Sequence, residues 1–147
     1  MSIEDNKALV RHWYEEVFNK KNVAAIDEFI APNQIERAKQ TITMYLSAFP
    51  DLHVTVEDLI ADQDKVVARL TVRGTHQGAF LGIPPTGKQV TGTAIDINRI
   101  TGGKSVEHWN TSDTLGLLQQ LGVVPLPGQL SRVTSGEEGQ DSRSCVD

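Results

Sequence analysis

Glu107, His108, Trp109, Asn110 and Asp113 crowd the stretch SVEHWNTSDTLGLLQQLG, just ahead of an apolar run. A carboxylate, an imidazole and an amide beside an indole are groups that move protons without help from a cofactor. Asp113 stands directly before TLGLLQQLG, where a short polar residue also serves as a helix N-cap. The two roles pull on its carboxyl in opposite directions. A helix N-terminus favours the carboxylate, whereas an apolar wall favours the acid. In an unbroken strand, Glu107, Trp109, Thr111 and Asp113 share one side, and His108, Asn110 and Ser112 share the other. This alternation predicts Trp109 and Asp113 in one pocket and His108 on the opposite face, unless a bulge reverses the parity.

The elements that must carry these groups are legible from periodicity. Residues 4–20 place Leu9, Val10, Trp13, Val17 and Phe18 near one helical face, with acids first and lysines last. NVAAIDEFIAP predicts a second short helix ending at Pro32, and residues 34–49 a third. After FPD the period becomes two. LHVTVEDLIA and KVVARLTVRGTHQG predict a hairpin about ADQD, KQVTGTAIDINRI a third strand, and SVEHWNTS a fourth after the turn TGGK. DTLGLLQQLG predicts a closing helix with Gly122 just past its end. Helices followed by an antiparallel meander give an α+β fold, with the helices covering one face of a curved sheet. Residues 1–125 are therefore expected to form one domain. Residues 126–147, rich in Ser, Gly and charge, are expected to be a disordered tail. A chain ending near Gln129 should melt within a few degrees of full-length protein; a loss of many degrees would show that the tail docks.

Composition narrows the partners. The chain has 147 residues, 39% of them hydrophobic and 22% charged, which suffices for a core and is too polar for a membrane protein. No run approaches the length of a membrane span. Net charge is −5 and no basic cluster occurs, which argues against a nucleic-acid partner. The acidic N-terminus lacks the features of an export signal, and Cys145 is the only cysteine. A reducing, cytoplasmic setting is expected. His12, His53, His76 and His108 show no metal-ligand spacing, so no metal is expected. In GIPPTGK, Gly82, Gly87 and Lys88 imitate a phosphate loop, but Gln89 replaces the magnesium-binding hydroxyl and a strand follows instead of a helix. No dinucleotide fingerprint and no nucleophile elbow is present, so no cofactor is expected.

FPDLHVTVEDLIADQDKVVARLTVRGTHQGAFLGIPPTGKQV, followed by DINRITGGKSVEHWNTSDTLGLLQQLG, closely resembles the SnoaL-like polyketide cyclases, often labelled ester cyclases. The opening NKALVRHWYEEVFNKKNVAAIDEFIAP is similar to their N-terminal helices. The resemblance implies the cystatin-like, nuclear-transport-factor-like cone, whose helices and sheet enclose an apolar pocket. It also implies ring closure by intramolecular aldol condensation without metal or Schiff base, with an Asp matching Asp113 as acid/base, and a homodimer formed through the open sheet face. The family pattern usually carries a polar segment after the second helix; here Pro32 runs almost at once into NQIERAKQTITMYL.

Several side chains are candidates to serve such a site. Asp113 and His108 are the acid/base candidates, with Asp113→Asn expected to cut turnover by at least ~10²-fold and His108→Ala to cost less. Tyr14 can offer its hydroxyl to a substrate carbonyl, or stand as a half-buried edge tyrosine. Trp109 is the candidate apolar wall. Phe80 and Ile83 suit a pocket rim or packing on the helices equally well. Arg99 can polarise a carbonyl or remain solvated. His76, between Gly74 and Gly78, suits the closing of a turn. The expected substrate is a small apolar molecule bearing a ketone or ester. The alternatives are a non-catalytic binding module and an isomerase or hydrolase of the same fold.

Overall fold

The computed structural model describes residues 2–125; the tail expected over 126–147 lies outside the described residues. Helix α1, Ile3–Trp13, opens on a capping box in which the Ser2 hydroxyl accepts from the Asp5 N–H and the Asp5 carboxylate accepts from the Ser2 N–H. One wider π-helical stretch, Tyr14–Asn19, continues it. Lys21 ends that stretch at φ 61°, its ammonium donating to the carbonyls of Phe18 and Leu52. Asn19 exchanges two hydrogen bonds with the Val54 backbone, at 2.7 and 3.0 Å, which pins the helix end to the sheet. The expected second helix is shorter than its pattern suggested: a turn at Val23–Ala25 and then α2, Ile26–Phe29. Helix α3 spans Ile35–Ala48.

Four strands follow: β1 His53–Asp62, β2 Lys65–Thr75, β3 Gln89–Thr101 and β4 Lys104–Ser112. They form one antiparallel sheet in sequence order. This is the expected α+β arrangement of N-terminal helices on a curved antiparallel sheet. One sheet face is the core: Val54, Val66, Ala68, Leu70, Ala94 and Ile100 pack with Val10, Trp13, Tyr14, Val17, Ile26 and Phe29. Trp13 stacks on Phe29 at 4.7 Å between centroids. Helix α4, Thr114–Leu121, lies in a unit separate from the one that holds the sheet.

Two bulges set which side chains reach the core face. Glu57 is the extra residue in β1, between Val56 and Asp58. Val106 is the extra residue in β4, between Ser105 and Glu107. Ser105 is buried on the core face, so uninterrupted alternation from it would turn Glu107 and Trp109 inward. The bulge reverses this, and His108, Asn110 and Ser112 pair with Asn98, Asp96 and Ala94 on the inner side.

The loop between β2 and β3 forms a second, smaller cluster. Phe80 is buried against Tyr45 and Phe49, and Phe49 also meets the His76 ring. His76 closes the loop as its place between glycines suggested: its Nδ1 accepts from the Thr86 N–H at 3.2 Å, and its backbone carbonyl accepts from Gly87. Gly78 sits so close to α3 that a Cβ there would lie 2.2 Å from the Ser47 carbonyl oxygen. GIPPTGK runs into strand β3, so no helix N-terminus stands behind it for a phosphate.

Candidate active site

The inner face of β3 carries a polar interruption. Ala94 and Ile100 are apolar and buried, but between them Asp96 and Asn98 are buried too. A buried carboxylate must be compensated; two hydrogen-bond donors meet it and an imidazole stands at longer range. Tyr14 Oη donates to Asp96 Oδ2 at 2.5 Å. Asn110 Nδ2 donates to Oδ1 at 2.6 Å. His108 Nε2 lies 3.5 Å from the same Oδ1. The Ser112 hydroxyl donates to Asn110 Oδ1 at 3.0 Å, which turns the Asn110 amide nitrogen toward Asp96. Nearby, the Ser105 hydroxyl donates to Asn98 Oδ1 at 2.6 Å.

The electrostatics follow from burial and donors. Burial by itself pushes the Asp96 carboxyl up, but hydrogen bonds from His108, Asn110 and Tyr14 outweigh it and hold the group below the usual carboxylate value. Asp96 is therefore an anion at neutral pH. Burial, then the charge and hydrogen bond of Asp96, push the Tyr14 phenol far up, so Tyr14 stays a neutral donor. Tyr14 is the first residue of the π-helical stretch, a distortion found preferentially at functional positions. Beyond the core, the inner side chains of β4 are open: His108, Asn110 and Ser112 are exposed. The arrangement is a buried anion with an accessible imidazole at its edge.

The other candidates lie elsewhere. Trp109 is on the outer sheet face, opposite to the side expected from alternation, with the Lys65 ammonium 5.9 Å from its ring. Arg99 is also outward, its Nε donating to Glu107 at 2.5 Å and its Nη1 lying 3.8 Å from Asp64. Phe80 packs in the loop cluster, and half-buried Ile83 exchanges backbone hydrogen bonds with it. Tyr14 is fully inside the core and its hydroxyl is engaged with Asp96. Asp113 is exposed, past the end of β4, with its N–H donating to the Thr93 carbonyl at 3.1 Å. It borders an open depression of about 320 Å³ shared with Arg69, Thr93, Ile95 and Thr111. Thr93 is three residues from Asp96, a backbone spacing of roughly 10 Å along β3. The structure thus brings together Tyr14 and His108, and sets Asp113, Trp109, Arg99, Phe80 and Ile83 apart from them.

Sequence reasoning passed over Asp96 and Asn110 as partners. The available signal was phase: in TAIDINRI the apolar positions Ala94 and Ile100 share their parity with Asp96 and Asn98. A carboxylate in the buried phase of a strand is costly without a purpose.

Among the described residues, no three His, Cys, Asp or Glu side chains are gathered as a metal site, and no helix is long and apolar enough to cross a membrane. The sequence pattern of the SnoaL-like polyketide cyclases matches residues 8–121. Nogalonic acid methyl ester cyclase of Streptomyces nogalater is 29% identical over 119 residues, which cover 71% of this chain and 89% of that protein. Aklanonic acid methyl ester cyclase DnrD of Streptomyces peucetius is 40% identical over 57 residues, 39% of each chain. The solved structure of TsrD from Streptomyces laurentii superposes with a TM-score of 0.75 at 32% identity, over 84% of this chain and 99% of that one. A helix-covered antiparallel sheet and a pattern match along most of the chain converge: the protein belongs to the SnoaL-like polyketide cyclase family.

Proposed function

We propose that this protein is a cofactor-free cyclase that closes a ring in a small, carbonyl-bearing apolar molecule by intramolecular aldol chemistry. The observation that carries this reading is the buried Asp96, hydrogen-bonded by Tyr14 and Asn110, with His108 at its open edge. An aldol closure needs one group that removes a proton from carbon and returns a proton to oxygen, and a fixed counter-charge for it. The His108–Asp96 pair offers both. Its polyketide cyclase relatives, named for methyl esters of nogalonic and aklanonic acid, support the substrate class. Nogalonic acid methyl ester is the first substrate to test. Consumption of the ester with appearance of a cyclised isomer of equal mass supports the reading. Binding without turnover would favour a binding module.

The outer sheet face supports a homodimer. Ile60, Val67, Ile97 and Trp109 are cross-strand neighbours on that face, a continuous apolar row. Ile60, Trp109 and the adjacent Ile95 are each at least 45% exposed. A second copy brings the same row, as a two-fold interface requires. Sedimentation at micromolar concentration should show a dimer for the natural chain and a monomer for Ile97→Arg. A natural chain that sediments as a monomer would remove this assembly.

A further inference from the structure

Asp96 is poorly placed to take a proton from a substrate itself. It is 8% exposed, and each of its oxygens accepts a hydrogen bond, Oδ2 from Tyr14 and Oδ1 from Asn110, with His108 Nε2 3.5 Å from Oδ1. A carboxylate so held is stabilised as the anion and is correspondingly weak as a base. To accept a proton it would have to give up one of these contacts inside a protein interior, where a lost partner is expensive.

His108 is the reverse case. Its side chain is 44% exposed and reaches Asp96 with one ring nitrogen, Nε2. A neutral imidazole that points Nε2 at a carboxylate carries its proton there, which leaves a lone pair on Nδ1. Among the described residues, Nδ1 has no hydrogen-bond partner. The basic atom that a molecule on the inner face can reach is therefore on the imidazole.

We propose that the proton exchanged with substrate is carried by His108 Nδ1, and that Asp96 is a positioning residue, itself held in place by Tyr14 and Asn110. The proposal rests on the reading of the protein as an aldol-type cyclase, and assigns the proton to one atom within it. In the forward step Nδ1 takes a proton from the carbon beside a carbonyl, and the C–H electron pair passes into the enolate. The enolate carbon bonds to the second carbonyl carbon of the same molecule. The oxygen of that carbonyl receives the electron pair and then the proton from Nδ1, so the imidazole ends neutral and no co-reactant is consumed. While His108 carries the extra proton, Asp96 supplies the opposite charge. Tyr14 and Asn110 act only through Asp96: they fix the direction in which its Oδ1 faces the imidazole.

Two measurements on the full chain test this. The first needs no substrate. In ¹⁵N-labelled protein at mildly alkaline pH, long-range ¹⁵N–¹H correlations should show His108 as the Nε2–H tautomer, and Asp96→Ala should turn it into a mixture. Tyr14→Phe keeps the ring packing, is expected to preserve the fold, and should give a partial change. A natural chain with His108 in the Nδ1–H form would overturn the assignment, as would a tautomer that ignores both substitutions. The second uses nogalonic acid methyl ester. His108→Ala should lose at least ~10²-fold in kcat with KM nearly unchanged, and added imidazole should restore part of it. Full turnover by His108→Ala would overturn the proposal. If the natural chain does not turn over this ester, that substrate assignment fails, and the tautomer measurement still decides whether Asp96 positions His108.

Discussion

His108→Gln is expected to lower turnover by at least ~10²-fold in a protein that folds normally, whereas Asp113→Asn should leave turnover close to that of the natural chain. Glutamine keeps a polar, hydrogen-bonding side chain at the edge of the core but cannot carry a proton at neutral pH. His108 is exposed, and when it is replaced Tyr14 and Asn110 still donate to the buried Asp96. Asp113 lies past the end of β4, exposed and about three residues along the sheet from Asp96. Asparagine at a helix start substitutes well for aspartate, so folding should also survive. Steady-state rates on one ester, with melting curves for both variants, decide the matter. The opposite result, an inactive Asp113→Asn and an active His108→Gln, would move the chemistry to the depression bordered by Arg69, Thr93 and Ile95.

Phe80→Ala should destabilise the protein by about 3–5 kcal/mol, the usual cost of truncating a buried phenylalanine. The ring is 2% exposed, with centroids 5.6 Å from Tyr45 and 5.4 Å from Phe49. Its removal leaves a cavity between α3 and the loop that His76 closes. Relaxation there is limited, because the loop backbone is tied to α3: Gln77 and Gly78 both donate to the Ala48 carbonyl, and Gly78 nearly touches the Ser47 carbonyl. Urea unfolding of the variant measures the loss. If Phe80 instead lined the reacting pocket, the change would appear chiefly in KM, with stability nearly intact.

Periodicity in the chain was enough to establish the number and order of the main elements. Residues 4–49 repeat at three and four, residues 52–112 at two, and the strands pair in the order in which they occur. These are local signals, because each element must present one apolar face to a single core. The same reasoning ruled out a phosphate loop in GIPPTGK and pointed to His76 as a turn-closing residue. The motifs of the last strand and helix also pointed to the family.

Which residues meet at the site was decided by tertiary structure. A strand's parity is fixed only up to a one-residue slip, and Val106 supplies that slip in β4. With it, His108 and Asn110 turn inward and Trp109 outward, the reverse of the uninterrupted pattern. Nothing in SVEHWNTS marks Val106 as the extra residue, because the bulge is set by the register against β3. Tyr14 meets Asp96 where the helix widens after Trp13, with the end of that helix pinned to β1 by Asn19 and to Leu52 just before it by Lys21. The two residues are 82 positions apart in the chain, so their hydrogen bond has no local signature. The sequence by itself determined the elements and the groups available for chemistry. The bulge, the widened helical turn and the sheet register decided which of those groups share a face, since each depends on contacts between segments distant in the chain.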